Sequence, residues 1–320
     1  MTESTNSFRK PRNYSPRWIL IGRGWYALRA AWRWARVSRF ATRLLGPQYR
    51  RSRDLIEIDI TYLCNLHCLN CNRSVRQARE AMHIELDAIR SFVDQSLERQ
   101  KRWNRIRVLG GEPTLHPQFM EIIAELERYR AWYPACLIEV VTNGYGDRVE
   151  AQLAKLPKHI WIDNSRKRDE VQTGFRPFNE APIDDRRYRH ADFANGCAIM
   201  HDCGMGLTPL GYYPCAVAGG IERITGREHG QDRLPDDADD MQGAARALCR
   251  LCGRFQDGHY VPKNLREPLE EERISPTWQR LYAQWHAARQ GLQVEDGVAL
   301  THEGAPVAAE RPEARTGAPG

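Results

Sequence analysis

The chain has 320 residues, 42% of them hydrophobic, which is enough for one large domain with a small appendage. Its formal charge of +6 is unevenly placed: residues 1–54 hold 13 basic and 2 acidic side chains, leaving 34 basic against 39 acidic in the other 266. A mildly acidic body behind a basic arm excludes a body built to grip nucleic acid. No run approaches the roughly 18 apolar residues of a membrane-spanning helix.

The arm, residues 1–54, reads as mostly helical and rich in Trp and Arg. From Trp18 to about Leu45 neither a proline nor a β-branched run stops a helix, although Gly22 and Gly24 weaken its first turns. Trp18, Trp25 and Trp32 recur every seven residues. Arg29, Arg33, Arg36, Arg39 and Arg43 follow at steps of three and four, which share a helical face. Two accounts fit residues 17–45: the tryptophans pack on the body or on a second subunit, or the helix lies on an anionic membrane surface.

Residues 55–196 show a β/α rhythm. Leu55–Ile60 alternates apolar and acidic residues as a strand, and a helix near 85–99 places Leu86, Ile89, Phe92, Val93 and Leu97 on one face. A strand at 105–109, a helix at 117–130, a strand at 137–141, a short helix at 147–155 and a strand at 159–163 follow. Alternation of this kind implies an α/β fold with parallel strands, right-handed crossovers and functional loops gathered at the C-terminal strand ends. Residues 164–196 show no such pattern, so the barrel is either shortened or hides a strand.

The chemistry concentrates in Cys64, Cys68 and Cys71, spaced C-x3-C-x2-C just after the first strand. Three thiolates in a tight loop suit three irons of a [4Fe-4S] cube and leave the fourth iron open. A structural zinc site wants four closed ligands, and His67 lies between two of the cysteines, where ligation would strain the loop. The nine cysteines are an odd number with no export signal, which argues against a disulfide framework.

This loop resembles the signature of the radical S-adenosylmethionine (SAM) enzymes, and two more segments resemble theirs. Gly110-Gly111-Glu112-Pro113, ending the second strand, is similar to the motif that binds the methionine amino group. Thr142-Asn143, ending the third, is similar to the strand end near the SAM ribose. The resemblance implies a partial (β/α) barrel in which Cys64, Cys68 and Cys71 hold the catalytic cluster. It also implies that SAM chelates the open iron and is cleaved reductively, with a flavodoxin- or ferredoxin-type electron donor. Glycines at a strand end let a ligand approach the backbone, and Glu112 could accept a charged hydrogen bond from the ammonium. Asp163 and Asn164, which end the fourth strand, join the expected cofactor set and are the residues expected to meet substrate. Asn70 stands where many members carry an aromatic beside the adenine.

A second set, Cys197, Cys203, Cys215, Cys249 and Cys252, falls in residues 197–275. Gly211-Tyr212-Tyr213-Pro214-Cys215 reads as a tight hairpin delivering a ligand, and Cys249-x2-Cys252 can clasp a metal. The arrangement resembles the Twitch extension, half of a SPASM domain, which holds an auxiliary [4Fe-4S] cluster; zinc is the competing occupant. Cys215, Cys249 and Cys252 are the expected ligands, with Cys197 or Cys203 completing the set; if both do, Cys252 or its neighbour is spare. Cys136 reads as a small buried hydrophobe. A helix opens at Ser275-Pro276 and runs to about 297, with Ser275 as its cap, and residues 298–320 read as a disordered tail.

The cluster arrangement implies an oxidoreductase: hydrogen abstraction from a small polar metabolite or a carried polar group, with the auxiliary cluster taking the second electron. The alternatives are a peptide-modifying maturase, or an epimerase using Tyr212, Tyr213 or Cys203 as hydrogen donor. A non-catalytic iron–sulfur protein is the remaining reading. Nucleic acid is not an expected partner. Oxygen-labile clusters and the missing export signal imply the cytosol, or the membrane that bounds it.

Overall fold

The computed structural model describes residues 12–172, 176–266, 269, 271–290, 293–295 and 298–300. The arm forms α1 (Ile19–Arg36) and α2 (Arg39–Leu45) rather than one helix. The break comes at Ser38, whose extended backbone starts α2 while its hydroxyl accepts a hydrogen bond from the Ala41 amide at 3.1 Å. Then follow β1 (Leu55–Thr61), α3 (Leu86–Glu98), β2 (Arg105–Gly110), α4 (Phe119–Trp132), β3 (Leu137–Thr142), α5 (Asp147–Leu153) and β4 (Trp161–Asn164). The C-terminal region contains α6 (Ala198–Asp202), β5 (Met205–Thr208), β6 (Gly211–Tyr213), α7 (Ala216–Thr225), α8 (Gln242–Cys249), α9 (Arg254–Asp257) and α10 (Pro276–Gln290). A short antiparallel pair, β7 (Gln293–Glu295) and β8 (Val298–Leu300), ends the described chain. The last helix is thus shorter than expected and the expected tail begins with a strand; residues 301–320 lie outside the described residues.

One six-stranded mixed sheet organises the molecule, in the order β4-β3-β2-β1-β5-β6, with β1 to β5 parallel and β6 antiparallel to β5. Four parallel strands, β1 to β4, and the three helices between them build the partial barrel. Among the described residues between Asn164 and Met205 no strand follows β4, so the barrel is a shortened one. Instead β5 comes back to pair with the other edge of β1, fusing the C-terminal region to the barrel sheet.

Register makes the two faces different. Ile56, Ile106 and Ile138 align across β1, β2 and β3, as do Ile58, Val108 and Val140; all are buried beneath α3 and α4. The intervening row is Glu57, Arg107 and Glu139. Parallel strands buried on both faces normally read as continuous apolar runs. Here period-two alternation places a buried charged face opposite the helices.

The arm docks by its arginines rather than its tryptophans. Arg33 is 2% exposed and donates to the carbonyls of Gly196 at 2.5 Å and Phe255 at 2.9 Å, while Arg36 donates to Gly46 and Asn195. Carbonyls left at turn ends need donors, and guanidinium has five. Gly258, with φ +66°, admits Arg33: a Cβ there would lie 2.4 Å from its Nε. Of the arm's tryptophans, Trp34 touches the body, through the Arg187 carbonyl and the His190 ring. The acidic stretch near 236–240 meets the end of the arm and the edge of the barrel, with Arg53 paired to Asp240 and Arg99 to Asp236. At α10 the expected cap is replaced: Asp184 accepts from the Thr277 amide and hydroxyl, and Ser275 accepts instead from Ala181.

Candidate active site

The three-cysteine loop leaves the C-terminal end of β1, and glycines on β2 hold it there. The Gly111 amide donates to the Thr61 carbonyl at 2.7 Å and the Glu112 amide to that of Leu63 at 2.8 Å. A Cβ on Gly110, whose φ is +137°, would lie 2.2 Å from the Thr61 oxygen; one on Gly111 would lie 2.3 Å from the Leu63 oxygen. Both glycines are therefore required for backbone-on-backbone packing under the cysteine loop. Cys64 is buried, whereas Cys68 and Cys71 are half-buried. Burial pushes the Cys64 thiol up to about 12 and the Cys68 thiol to about 11, so binding a metal here must expel protons.

Glu112 ties two strand ends together. It is fully buried, and its carboxylate accepts from the Thr114 hydroxyl at 2.7 Å, the Thr142 hydroxyl at 2.9 Å and the Asn143 amide at 2.8 Å. These bonds tie the end of β3 to the end of β2, and Pro113 opens a 3-10 turn behind them. Asn143 extends the tie to the cysteine loop, its amide donating to Asn65 at 2.8 Å. At β4, Asn164 packs against Gly144, where a Cβ would lie 2.0 Å from Asn164 Oδ1. All the expected strand-end residues therefore share one edge of the sheet, with Glu112, Thr142, Asn143 and Asn164 building it through their side chains.

Asn70 has φ +54° and is fully buried, a left-handed position that asparagine tolerates well. Its amide accepts from Arg273 and its backbone donates to Glu272, binding the loop to the segment before α10. His67 Nε2 lies 3.1 Å from the Arg79 guanidinium, so the ring is engaged away from ligation. Residues 169–172 cross over the loop, with the His67 and Leu69 amides donating to the Glu170 and Gln172 carbonyls.

Beneath this edge lies the charged face, which sequence reasoning had not assembled. Arg107 donates to Glu57 at 2.5 Å, to Glu139 at 2.7 Å and, more weakly, to Asp163 at 3.4 Å. Arg73, just past Cys71, forms a bidentate pair with Asp59 at 3.0 Å. The signal was present in the acidic and basic residues alternating through β1, β2 and β3.

The second cysteine set resolves into four and one. Cys197, Cys215, Cys249 and Cys252 line one small cavity together with Arg254 and Phe255. Cys203 is not among its lining residues: its sulfur lies 3.1 Å from the Tyr260 hydroxyl, under the charges of Glu57 and Arg107. Cys197 and Cys215 each sit immediately before a helix, and Cys252 sits two residues before α9. Nearby amides of Ile199, Ala218 and Arg254 favour their thiolates. Burial opposes this in all four thiols, raising Cys252 to about 12.

Two cations compensate. Arg33 acts on Cys197 and Cys249, and Arg254 acts on Cys252 and Cys197. The Nε of Arg254 is buried without a hydrogen-bond partner, a donor left for an anionic guest. Among the described residues no three or more His, Cys, Asp or Glu side chains stand close enough to hold a single metal ion. Thiolates are the soft donors that iron–sulfur clusters take, so both cysteine sets fit such clusters in donor chemistry, and the quartet adds a small cavity and a waiting donor. Cys136 is buried in the core below β3, as expected.

Residues 58–206 match the family model of the radical SAM superfamily, and this segment is a radical SAM domain. Members of that superfamily cleave SAM to a 5′-deoxyadenosyl radical, and the fold is their α/β partial barrel with an auxiliary C-terminal region. A crystal structure of BtrN in complex with AdoMet and 2-DOIA is similar at 16% identity, covering 64% of this chain and 94% of that one, with a TM-score of 0.41. A structure of selenomethionine BtrN in an open conformation is similar at 16% identity, covering 63% and 96%, with a TM-score of 0.37. No curated protein matches the sequence.

Proposed function

We propose that the protein is a radical SAM dehydrogenase of a small polar metabolite, or of a polar group carried on a larger molecule. The observation that carries this reading is the four-cysteine cavity placed against the charged face of the sheet. Gly206 on β5 pairs with Glu57 on β1, and a Cβ at Gly206 would lie 2.5 Å from the backbone carbon of Cys215. Glu57 is in turn one of the charges acting on Cys215. An auxiliary cluster held by Cys197, Cys215, Cys249 and Cys252 would supply a one-electron acceptor beside the substrate. Loss of a hydrogen atom to the adenosyl radical, then of a proton and an electron, oxidises the substrate by two electrons.

The first cluster is assigned to Cys64, Cys68 and Cys71, where no fourth cysteine stands in the loop and Cys68 and Cys71 keep an open side. The Glu112 tie and the Gly110-Gly111 packing hold the ends of β1, β2 and β3 in fixed relation, which orients a bound SAM. Arg107 and its three carboxylates offer a polar substrate charges that are already oriented. Asp163 is the member that remains 37% exposed, and so the one able to exchange Arg107 for substrate. A flavodoxin- or ferredoxin-type protein is the proposed electron donor. Among the described residues no helix is long and apolar enough to cross a membrane.

A second reading, epimerisation, rests on Cys203, a buried thiol beside Tyr260 at the charged face, able to return a hydrogen atom. Tyr213 is less suited, because its hydroxyl donates to Glu222 at 2.6 Å. Reconstituted protein under reducing, anaerobic conditions is to be incubated with SAM and metabolite pools in deuterated water. A product lighter by two hydrogens supports oxidation; an isomer carrying solvent deuterium at the abstracted carbon supports epimerisation. Failure to form 5′-deoxyadenosine with any substrate pool opposes both.

A further inference from the structure

We propose that the N-terminal helix pair is a docking surface for an anionic lipid bilayer. Helix α1 has two faces with opposite fates. Arg33 is buried on the body, Gly22 is covered by Tyr14, and Tyr26 stacks on His259. On the other side Trp18, Ile21, Trp25, Leu28 and Trp32 are 56%, 59%, 54%, 68% and 63% exposed. Steps of three and four residues align these five side chains along about 21 Å of helix. Phe40 and Leu44 on α2 add exposed apolar area, 75% and 67%. A stripe of this size on a soluble surface marks an interaction site.

Charge identifies the occupant. Between Arg12 and Arg53 the sequence contains no Asp or Glu, and Arg17 beside the stripe on α1 and Arg43 on α2 are exposed. A second copy docking by the same face would bring these arginines together with no acid between Arg12 and Arg53 of either copy to receive them, which disfavours a homodimer. An anionic headgroup layer receives all of them, while indole rings suit the boundary between headgroup and acyl chain. Because no described helix can span a bilayer, α1 would lie in the membrane plane. The barrel would then work against the surface, with the arm tied to the four-cysteine cavity through Arg33.

The test is co-sedimentation of the full-length, cluster-loaded protein with phosphatidylcholine vesicles, with and without phosphatidylglycerol, at low and high salt. Binding is expected to the phosphatidylglycerol vesicles alone and to weaken with salt. Arg17→Gln with Arg43→Gln should lower partitioning roughly thirty-fold, at the usual contribution of a basic residue near an anionic surface. Trp25→Glu with Leu28→Glu should abolish binding while iron content and SAM cleavage stay as in the parent. Protein left in the supernatant with anionic vesicles overturns the proposal. So does a concentration-dependent dimer that the Trp25 and Leu28 substitutions dissolve, which would assign the face to a second copy.

Discussion

Alanine at Gly111 tests how the cysteine loop is held. Gly111 is not in the left-handed region, so alanine can adopt its backbone conformation and the effect is steric alone. The added methyl would lie 2.3 Å from the Leu63 oxygen and 3.1 Å from the Cys64 Cβ, against ordinary contacts of 3.4–4 Å. Relieving the first contact takes a displacement of about 1.1 Å, which stretches the 2.7 Å and 2.8 Å amide bonds to Thr61 and Leu63 past hydrogen-bonding range. Overpacking costs about 1–3 kcal/mol and two lost bonds about 1 kcal/mol each, offset by about 0.5–1 kcal/mol from the stiffer unfolded chain. The net loss is about 2–4 kcal/mol, centred on the base of Cys64. Anaerobic reconstitution followed by iron counting and paramagnetic resonance should show the SAM-responsive cluster depleted and the auxiliary signal kept. Gly24→Ala, with nothing within 4 Å of the new methyl, is the control and should gain about 0.5–1 kcal/mol. A Gly111→Ala protein with parental iron content and SAM cleavage would refute the packing argument.

Cys197→Ser should remove the auxiliary cluster, whereas Cys203→Ser should leave its spectrum intact; the reverse pattern would place Cys203 in the quartet. Arg107→Met strands Glu57 and Glu139, each with a side chain 4% exposed. A loss near the lower end of the 3–5 kcal/mol for breaking buried pairs is expected, because Arg73 and Arg105 remain within 3.6 Å and 3.9 Å of these carboxylates. Chemical denaturation measures this loss, and adding Glu57→Gln and Glu139→Gln should recover part of it. Arg33→Gln withdraws a cation that acts on Cys197 and Cys249, so the auxiliary cluster should become harder to reduce in a potentiometric titration. An unchanged potential would show that Arg33 serves the arm alone.

Much of the fold could be read from the sequence because its signals are local. The helix faces of Leu86, Ile89, Phe92 and Val93, and of Phe119, Ile122, Ile123, Leu126 and Tyr129, are the buried faces observed. The four barrel strands β1 to β4 fall within two residues of where the sequence placed them, whereas β5 was not expected. What escaped depends on partners distant in the chain. The arm was read from its most hydrophobic residues, but Arg33 finds carbonyls at Gly196 and Phe255, more than 160 positions away. The choice between Cys197 and Cys203 could not be made from spacing, because α6 separates them and sends one thiol to the cavity and the other toward Tyr260. The tie made by Glu112 escaped too, because its partners Thr114, Thr142 and Asn143 come together only when β2 and β3 pair.

Mössbauer spectroscopy of the anaerobically reconstituted, iron-57-enriched protein, with and without SAM, probes the two-cluster assignment most directly. About eight irons per chain in two cubes are expected, with one iron site changing its spectrum when SAM is added and the other cube unaffected. A single cube, zinc in either cysteine set, or two cubes both indifferent to SAM would contradict the assignment.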